Sequence, residues 1–482
     1  MSSETFLWHD YETFGADPRR DRPCQFAALR TDSELEPVED PVVVYCQPTR
    51  DLLPAPEACM ITGITPQLAM QRGIPEFEFA DRIFRQMSVA GTCSVGYNNF
   101  RFDDEVSRFL FWRNFIDPYA REYKNGNSRF DLIDLLRLTR ALRPDGMQWC
   151  DREDGTASFR LEDLARVNGM EVENAHDALV DVRNTLGLAR LLRTAQPRLW
   201  HWALGLRARH QVEKLLAPGE MLLHASSRFP AQEFCLAPVL PLFRHPEIAS
   251  QWLVWNLRIA PDEFLDLDQD LLPDLLWTAA ADLPEGLQRL PVKWVRSNRC
   301  PMLAPMSVLD PAAAERTGID AGAAKRNADR LRQSAQFISV LAELTSAPRA
   351  SDVQDAETAL YDGFVSASDR GMADRVQSCE PASIIERLGD PTTLFDDERL
   401  TTLLIRYLGR HAESSLDASL LTQWNDFCRR KLLDDPDLAG LRLPEYLARI
   451  DVLRRQRPEH SALLDQLEAW GRDLVDPGRR SP

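Results

Sequence analysis

The sequence predicts a chain of three parts: an α/β domain, then a β-rich domain, then a helical domain. Three observations predict this order. In residues 1–195, short apolar runs typical of strands alternate with stretches whose apolar residues recur every three or four positions, as in helices. In residues 196–350, short apolar runs are broken by prolines, which favours β structure. In residues 351–482 the pattern is helical. We therefore place the domain boundaries at 195/196 and 350/351.

The composition indicates a folded chain with an acidic balance. The 482 residues are 44% hydrophobic and 27% charged, which is ample material for folded cores. The formal net charge of -17 argues against a protein coated for nonspecific nucleic-acid binding, but it leaves room for a local basic groove. No apolar run approaches the ~20 residues of a membrane span, and the first residues lack the pattern of a signal peptide. We therefore expect a cytoplasmic protein without membrane association.

Nine cysteines occur, and none belongs to a Cys-x-x-Cys pair. Their odd number and their spacing support neither a zinc knuckle nor a disulfide framework. We expect reduced, mainly buried thiols.

The first predicted strand, residues 6–13, carries two acids. Alternation along a strand places Trp8, Asp10 and Glu12 on one face, so two carboxylates lie side by side among apolar neighbours. Such a pair is costly unless a cation lies between them, and a hard divalent cation such as Mg²⁺ allows both groups to stay ionised. The alternative is a strand end whose acids are solvated or paired with arginine. Asp-x-Glu alone does not decide between the two.

The next elements continue the sheet and lead into a helix. Residues 27–31 and 42–47 are predicted strands, separated by an acidic turn. Residues 59–65 are predicted to form a loop that ends at a helix start, with Thr65 as the N-cap and Pro66 in the first turn. This loop either brings backbone donors against a ligand or is an ordinary strand-to-helix turn.

A further strand at residues 92–97 precedes a helix that starts near an acidic pair. Asp103 or Asp104 either caps that helix or supplies a third carboxylate at the end of the strand, where ligands gather in sheets covered by helices. Residues 101–143 then mix arginines with aromatic side chains. Cations that follow phosphates and rings that stack on bases form a single-strand groove. A helical face with solvated arginines and a buried aromatic stripe has the same composition.

The last elements of the α/β domain surround a histidine. Ser158 is predicted to cap a helix that stops at Gly169. Asp177 is predicted to cap a long helix, which leaves His176 just outside it and Asp181 in its first turn. A histidine followed five residues later by a carboxylate is a weak motif alone. It becomes strong beside Asp-x-Glu on a first strand and an acid at the start of a middle helix.

The other two domains are predicted from their apolar patterns. The predicted strands of the β-rich domain are residues 221–224, 234–240, 251–257 and 291–297. The basic and aromatic residues of the last strand and its turn either face nucleic acid or form an ordinary exposed edge; they are Lys293, Trp294, Arg296 and Arg299. The predicted helices of the third domain are residues 398–410, 419–433, 445–455 and 461–474, which indicate a helical bundle.

Together these motifs resemble the DEDDh exonuclease superfamily, whose signature is Asp-x-Glu, a central Asp and His-x4-Asp. Here the signature residues are Asp10, Glu12, Asp103, His176 and Asp181. In more detail, the chain resembles the bacterial exonuclease I family over essentially its whole length. The runs that carry this resemblance are residues 9–15, 61–67, 96–99, 101–106, 141–144, 158–162, 174–178, 291–293 and 360–364. The resemblance implies a ribonuclease H-like exonuclease domain with a mixed central sheet flanked by helices, an SH3-like β-rich domain and a C-terminal helical domain.

The resemblance implies an exodeoxyribonuclease that degrades single-stranded DNA processively from the 3′ end to 5′-mononucleotides, in DNA repair and recombination. Phosphodiester hydrolysis needs an activated water and a stabilised leaving oxygen, and two divalent ions roughly 4 Å apart serve both ends. Asp10 would bridge two Mg²⁺ ions, for which Mn²⁺ is a possible substitute. Glu12 and Asp181 would complete the first metal site, and Asp103 would hold the second ion. His176 would be the general base.

The resemblance also implies substrate contacts and a partner. Ile61 and Thr62 would hold the terminal nucleotide, and Arg160 would contact a phosphate near the metals. The full implied substrate-binding set is Glu12, Ile61, Thr62, Arg108, Tyr119, Tyr123, Arg137, Arg143, Phe159 and Arg160. The implied protein partner is the acidic C-terminal tail of single-stranded DNA-binding protein, and we expect a monomer. Two alternatives stay open: a 3′→5′ exoribonuclease or proofreading subunit, and a noncatalytic scaffold that binds DNA ends.

Overall fold

The structure, a computed structural model, describes residues 4–171, 177–346 and 355–476. The chain forms two compact units that are interleaved in sequence. The first unit consists of residues 1–128, 173–183 and 351–482, and the second consists of residues 129–172 and 184–350. Both ends of the chain therefore contribute to the same unit.

The strands are β1 (Thr5–Thr13), β2 (Pro23–Thr31), β3 (Val42–Tyr45), β4 (Thr92–Gly96), β5 (Ser128–Asp131), β6 (Leu222–Ala225), β7 (Leu236–Arg244), β8 (Gln251–Asn256), β9 (Val292–Arg296) and β10 (Met302–Pro305). The helices are α1 (Pro56–Thr62), α2 (Pro66–Arg72), α3 (Glu76–Met87), α4 (Asp103–Arg113), α5 (Ala120–Tyr123), α6 (Leu132–Leu142), α7 (Leu161–Val167), α8 (Ala178–Ala195), α9 (Pro197–Gly205), α10 (Arg209–Leu216), α11 (Asp262–Leu265), α12 (Leu272–Trp277), α13 (Pro311–Thr317), α14 (Ala321–Arg332), α15 (Ala335–Ser346), α16 (Ala367–Gln377), α17 (Ile384–Leu388), α18 (Glu398–His411), α19 (Ala418–Arg429), α20 (Leu443–Gln456) and α21 (Ser461–Val475).

The sheet of the first unit is mixed, as predicted. Its strands follow the order β3-β2-β1-β4. β1 runs antiparallel to β2, with Asp10 opposite Ala27, and parallel to β4, with Trp8 opposite Val95. β1 therefore has a hydrogen-bonded neighbour on each side, which fixes the direction of its alternate side chains.

Apolar residues of the sheet pack against the helices that follow it in sequence. Leu7, Tyr11 and Phe26 share one buried cluster with Phe79 of α3 and Leu110 of α4. This packing holds the start of α4 against β1, and so fixes the position of the acidic pair at residues 103 and 104.

Helices from the far end of the chain complete the core of the first unit. Phe14 and Cys59 share a buried cluster with Tyr446 and Ile450 of α20 and with Leu464 of α21. A second cluster joins the aromatic residues of α4 to α18, which lies almost three hundred positions later. The core around the first strands is thus shared with the C-terminal helices.

A buried ionic network joins the same segments. Asp51 accepts hydrogen bonds from Arg410 (Nη2 to Oδ2, 2.9 Å) and Lys431 (Nζ to Oδ2, 2.9 Å). Glu357 accepts one from Arg22 at 2.7 Å and another from Arg410. Burial alone would raise the pKa of Asp51, but the three cations hold it well below its ordinary value. The network therefore keeps its carboxylates ionised inside the protein.

The second unit contains an antiparallel sheet with the strand order β10-β6-β7-β8-β9. Leu240, Leu253 and Trp255 of this sheet share a buried cluster with Leu275 of α12 and Leu331 of α14. The four predicted strands of this region are confirmed as β6 to β9, whereas β10 and the helices packed on the sheet are additional to the prediction.

Two local predictions are wrong. The first part of the predicted loop at residues 59–65 belongs to helix α1, which ends at Thr62 and is followed by its C-cap Gly63 in the left-handed conformation (φ 69°). Ser158 does not cap α7, because its hydroxyl donates to Asp163 (2.6 Å), and the helix begins two residues later than predicted, at Leu161. Thr65 does cap α2, accepting from the backbone N–H of Leu68 at 3.2 Å.

The nine cysteines all lie within the described residues, where none forms a disulfide bond, and eight of them are buried, as the sequence predicted. Within the described parts of the chain, no helix combines the length and the apolar character that crossing a membrane requires.

Candidate active site

Three acidic side chains of the first unit converge. Asp10, Glu12 and Asp181 each offer a carboxylate oxygen, and these oxygens all lie within 4.8 Å of one another. Asp10 and Glu12 are alternate residues of β1, so they project from the same face. Asp181 lies in the first turn of α8, whose start is fixed by the capping carboxylate of Asp177, which accepts from the N–H of Leu179 at 2.9 Å.

A fourth acid lies beside this group at the start of α4. Asp103 is buried, and its Oδ1 accepts the backbone N–H of Tyr11 on β1 at 3.1 Å. Asp104 instead forms a fully buried ion pair with Arg121 at 2.6 Å. The N-cap position of α4 is occupied by Phe102, so capping is the role of neither acid. Of the two acids that the sequence left open, Asp103 is the one held against β1.

The electrostatics of the cluster favour a bound cation. Burial, with the charges of the neighbouring acids, raises the pKa of Asp10 well above its ordinary value; these neighbours are Asp103, Glu12 and Asp181. Burial and the negative charges of Asp181, Asp103 and Asp177 raise the pKa of Glu12 to about 9. A cation held by the carboxylates offsets the desolvation and the mutual repulsion that oppose their ionisation. A donor set made only of carboxylate oxygens suits a hard divalent ion.

Two histidines lie close to these acids in the sequence, His9 and His176. His176, the predicted general base, lies outside the described residues. His9 is buried beside the ring of Phe26 (centroids 6.0 Å apart), and burial lowers its pKa to about 3. His9 is therefore a neutral core residue.

A cavity of about 780 Å³ adjoins the acid cluster within the first unit. Glu12, Ile61 and Thr62 are among its lining residues, so the two residues expected to hold the terminal nucleotide share this cavity with a predicted metal ligand. Ile61 is 56% exposed, unusual for an isoleucine. The volume lies within the range of small-molecule sites.

Other residues that line this cavity were missed by sequence reasoning. They belong to the segment after α19 and to α20, and they are Lys431, Leu432, Leu438, Ala439, Gly440, Leu441 and Arg449. No local motif indicates them, because they lie several hundred positions from the acids in sequence.

The other predicted substrate contacts of the first unit are Arg108, Tyr119 and Tyr123. The guanidinium of Arg108 donates to Glu122 (Nε to Oε1, 2.7 Å) and to Glu105 (Nη1 to Oε1, 2.7 Å), and it lies over the ring of Tyr119 at 5.3 Å. Tyr123 is 63% exposed. Arg108 is thus already paired with two carboxylates, whereas Tyr123 is exposed to solvent.

The remaining predicted contacts lie in the second unit. Arg137 pairs with Asp134 at 2.5 Å and lies over the ring of Phe159 at 5.7 Å, and both residues are buried. Arg143 pairs with Asp310 at 2.9 Å. Arg160 is exposed at the N-cap position of α7. These assignments stay predictions.

A mixed sheet that gathers acidic side chains from its first strand and from two helices defines a metal-dependent phosphodiesterase of the exonuclease class. Three family models match the chain: Exonuclease at residues 7–189, Exonuclease I SH3-like domain at residues 207–346 and Exonuclease I C-terminal domain at residues 354–474. Exodeoxyribonuclease I of Escherichia coli strain K12 is 40% identical over 98% of this chain and 98% of its own. The chain belongs to the exonuclease I family.

Solved structures of exonuclease I are similar to this chain over nearly its whole length. A moderately thermophilic exonuclease I from Methylocaldum szegediense has a TM-score of 0.92 at 41% identity, covering 98% of this chain and all of that one. A zinc-bound complex of Escherichia coli exonuclease I with single-stranded DNA has a TM-score of 0.90 at 38% identity, with coverage of 98% and 100%. A structure of SSB and exonuclease I with the inhibitor CFAM has a TM-score of 0.89 at 37% identity, again with coverage of 98% and 100%.

Proposed function

We propose that this protein is an exodeoxyribonuclease that hydrolyses single-stranded DNA from the 3′ end, processively, to 5′-mononucleotides, in DNA repair and recombination. The observation that carries the proposal is the convergence of Asp10, Glu12 and Asp181, with Asp103 held against the same strand. The full-length likeness to exonuclease I, including a complex with single-stranded DNA, supports the choice of substrate.

The acids serve a divalent metal centre, which we assign to two Mg²⁺ ions, with Mn²⁺ as a substitute. When bound, such ions polarise the phosphodiester, lower the pKa of the attacking water and stabilise the leaving oxygen. From the family resemblance, Asp10 would bridge the ions, Glu12 and Asp181 would complete one metal site, and Asp103 would hold the second ion. The zinc-bound relative supports a metal centre.

His176 is assigned as the general base, from its place five residues before Asp181. We expect His176→Ala to lower the single-turnover cleavage rate by about 10²- to 10⁴-fold, because a positioned base contributes that much to proton transfer. Strand binding, measured by fluorescence anisotropy in EDTA, should change little. Equal losses in binding and in rate would remove His176 from this role.

The partners follow from the same likeness. The relative solved with SSB supports single-stranded DNA-binding protein as a partner, and we assign its acidic C-terminal tail as the bound segment. We further propose a monomer that works on DNA in the cytoplasm. The three domains are proposed to be residues 1–195, 196–350 and 351–482, which the ranges of the family models support.

The proposal is tested by digesting end-labelled oligonucleotides with and without Mg²⁺ and sizing the products. We expect single-stranded DNA labelled at the 5′ end to shorten stepwise only with Mg²⁺, and matched double-stranded DNA and RNA to resist. Asp10→Asn should lose at least about 100-fold in rate, because the metal centre loses a charged ligand. Asp451→Asn is the matched control, since Asp451 is 64% exposed on α20. Full activity of Asp10→Asn, or faster digestion of RNA, would overturn the proposal.

A further inference from the structure

A buried glutamine lies on the face of the sheet that carries the acids. Gln25 is the cross-strand partner of Glu12 in the antiparallel pairing of β1 and β2. Directly opposed residues of such a pair point to the same face, with Cβ atoms about 4.5–5.5 Å apart. The side chain of Gln25 therefore starts next to that of Glu12, on the face from which Asp10 also projects.

The burial of this glutamine is costly unless its amide makes a hydrogen bond. Gln25 is 2% exposed, and every residue of β2 is buried. An amide that is taken out of water without a hydrogen-bond partner destabilises the folded state, whereas an apolar side chain at the same place would not. A glutamine at this position therefore indicates a specific use of its polar group.

The amide oxygen of Gln25 accepts a hydrogen bond from the start of α8. Its Oε1 lies 3.3 Å from the backbone nitrogen of Ala178, the first residue of that helix, which is fully buried. The first N–H groups of a helix have no acceptor inside the helix, so another part of the protein or water must supply one. Gln25 supplies an acceptor from β2, and this hydrogen bond joins the sheet to α8.

The hydrogen bond lies within one turn of Asp181. The N–H groups of Val180 and Asp181 both donate to the carbonyl of Asp177, at 2.9 and 3.1 Å, so the first turn of α8 is formed. Ala178 and Asp181 are three residues apart, about 4.5 Å along the helix axis. The position of Ala178 therefore fixes that of Asp181, whose carboxylate belongs to the acid cluster.

The backbone that carries Gln25 is held on both sides. β2 pairs with β1 and β3, with Gln25 opposite Glu12 on one side and Tyr45 on the other. The register of β1 and β2 shifts between Glu12 and Thr13, an irregularity of the kind that occurs next to active sites, where it redirects a side chain. The link to α8 therefore starts from the pair of residues at which the regular register ends.

We propose that Gln25 is a positioning residue for the metal centre: its amide joins α8 to the sheet and so holds the carboxylate of Asp181 beside that of Glu12. The inference rests on the proposed function, since it takes a divalent ion as the ligand of these acids. Gln25 acts through Asp181 and is not itself a ligand of the ion.

The test is the affinity of the full-length protein for Mn²⁺ without DNA, measured from the EPR signal of the free ion. Gln25→Met keeps the length of the side chain and removes the acceptor. Its Kd for Mn²⁺ should rise about 10- to 100-fold, the loss typical of removing a group that orients a metal ligand. The Mg²⁺ concentration that gives half-maximal digestion should rise by a similar factor, whereas Kd for single-stranded oligonucleotides in EDTA should stay unchanged. If Gln25→Met does not fold, Gln25→Asn, whose amide is one methylene too short to reach Ala178, should show the same changes.

Thr31→Val is the matched control. Thr31 is buried on the same strand, and its hydroxyl accepts from the indole N–H of Trp8 at 2.9 Å, so the variant also breaks a buried hydrogen bond between side chains of β1 and β2. It should lower the melting temperature in EDTA and leave Kd for Mn²⁺ unchanged. An unchanged Kd in the Gln25 variants, or an equal rise in Thr31→Val, would overturn the inference.

Hydrogen exchange shows whether the effect passes through α8. In EDTA, the amides at the start of α8 should exchange about 5-fold faster in Gln25→Met than in the wild type, the effect of losing one hydrogen bond. Thr31→Val should leave their exchange unchanged. Equal exchange of these amides in Gln25→Met and the wild type would contradict the proposed link. Failure of the proposed function is recognised separately, as a wild-type protein that neither binds Mn²⁺ nor digests single-stranded DNA.

Discussion

At the scale of single residues, the acid cluster makes the metal-free protein dependent on pH. The pKa of Glu12 is about 9, well above the ordinary value of a glutamate, because burial and the neighbouring acids oppose its charge. Between the ordinary value and about 9, the folded state therefore holds a proton that the unfolded chain has released. The free energy of unfolding of the metal-free protein falls as pH rises through this window.

Glu12→Gln should remove part of this pH dependence. In EDTA, we expect the variant to unfold at a higher temperature than the wild type at pH 8, by an amount equivalent to about 1 kcal/mol, and to match it near pH 5. Mg²⁺ should raise the melting temperature of the wild type more than that of the variant. Thermal unfolding from pH 5 to pH 9 measures both effects, and parallel pH profiles for the two proteins would contradict the expectation.

The acids of the cluster were predictable from sequence to different degrees. Asp10 and Glu12 follow from strand alternation, and Asp181 follows from the cap at Asp177, because both signals are local. Local signals did not separate Asp103 from Asp104, since the two are adjacent; the family resemblance assigned Asp103, and only the structure gives the partner of Asp104. That partner, Arg121, lies on the next helix and has no sequence signal of its own.

At the scale of elements, tertiary packing determines the structure of segments that the local sequence pattern does not predict. The sequence predicts a loop over the last four residues of α1, because this short helix offers too few periodic positions and is followed by Gly63, a turn signal. The longer helices α18 to α21 were predicted nearly to their ends, because each shows several repeats of the apolar spacing. β10 is only four residues long, and its pairing with β6 joins positions about eighty residues apart.

The contact between α18 and α19 gives an element-scale prediction. A Cβ added at Gly409 would lie 2.3 Å from the ring of Trp424, which is fully buried. Gly409→Ala should therefore destabilise the protein by about 1–3 kcal/mol, the usual cost of overpacking, in a denaturant titration. Gly371→Ala is the control: this glycine lies inside α16 with open space around it, so alanine should stabilise by up to about 1 kcal/mol. Equal changes in the free energy of unfolding for Gly409→Ala and Gly371→Ala would contradict the expectation that a side chain at position 409 overpacks Trp424.

At the scale of the whole molecule, the buried ionic network connects segments from distant parts of the sequence. Asp51 and Glu357 are both partners of Arg410, and the three residues span some 360 positions. Such a network contributes little net stability over an apolar core, but the loss of one member leaves an uncompensated charge. No sequence pattern predicts it, since each member looks like an ordinary surface charge.

Arg410→Met should destabilise the protein by about 3–5 kcal/mol, because Asp51 and Glu357 lose a shared partner in a buried site. Chemical denaturation at pH 7 measures this effect. Arg454→Met, which removes an arginine whose acidic partners are partly exposed, should change the free energy of unfolding by less than about 1 kcal/mol. A comparable decrease in the free energy of unfolding of both variants would mean that removing a member of the buried network costs no more than removing a partly exposed ion pair.

The shared core of the first unit bears on the order in which the protein folds during its synthesis. Phe14 and Cys59 pack against α20 and α21, so the strand that carries Asp10 and Glu12 gains these contacts only after helices that are translated hundreds of residues later. A nascent chain that stops before residue 443 lacks both helices. We therefore expect this strand to reach its final packing late in synthesis.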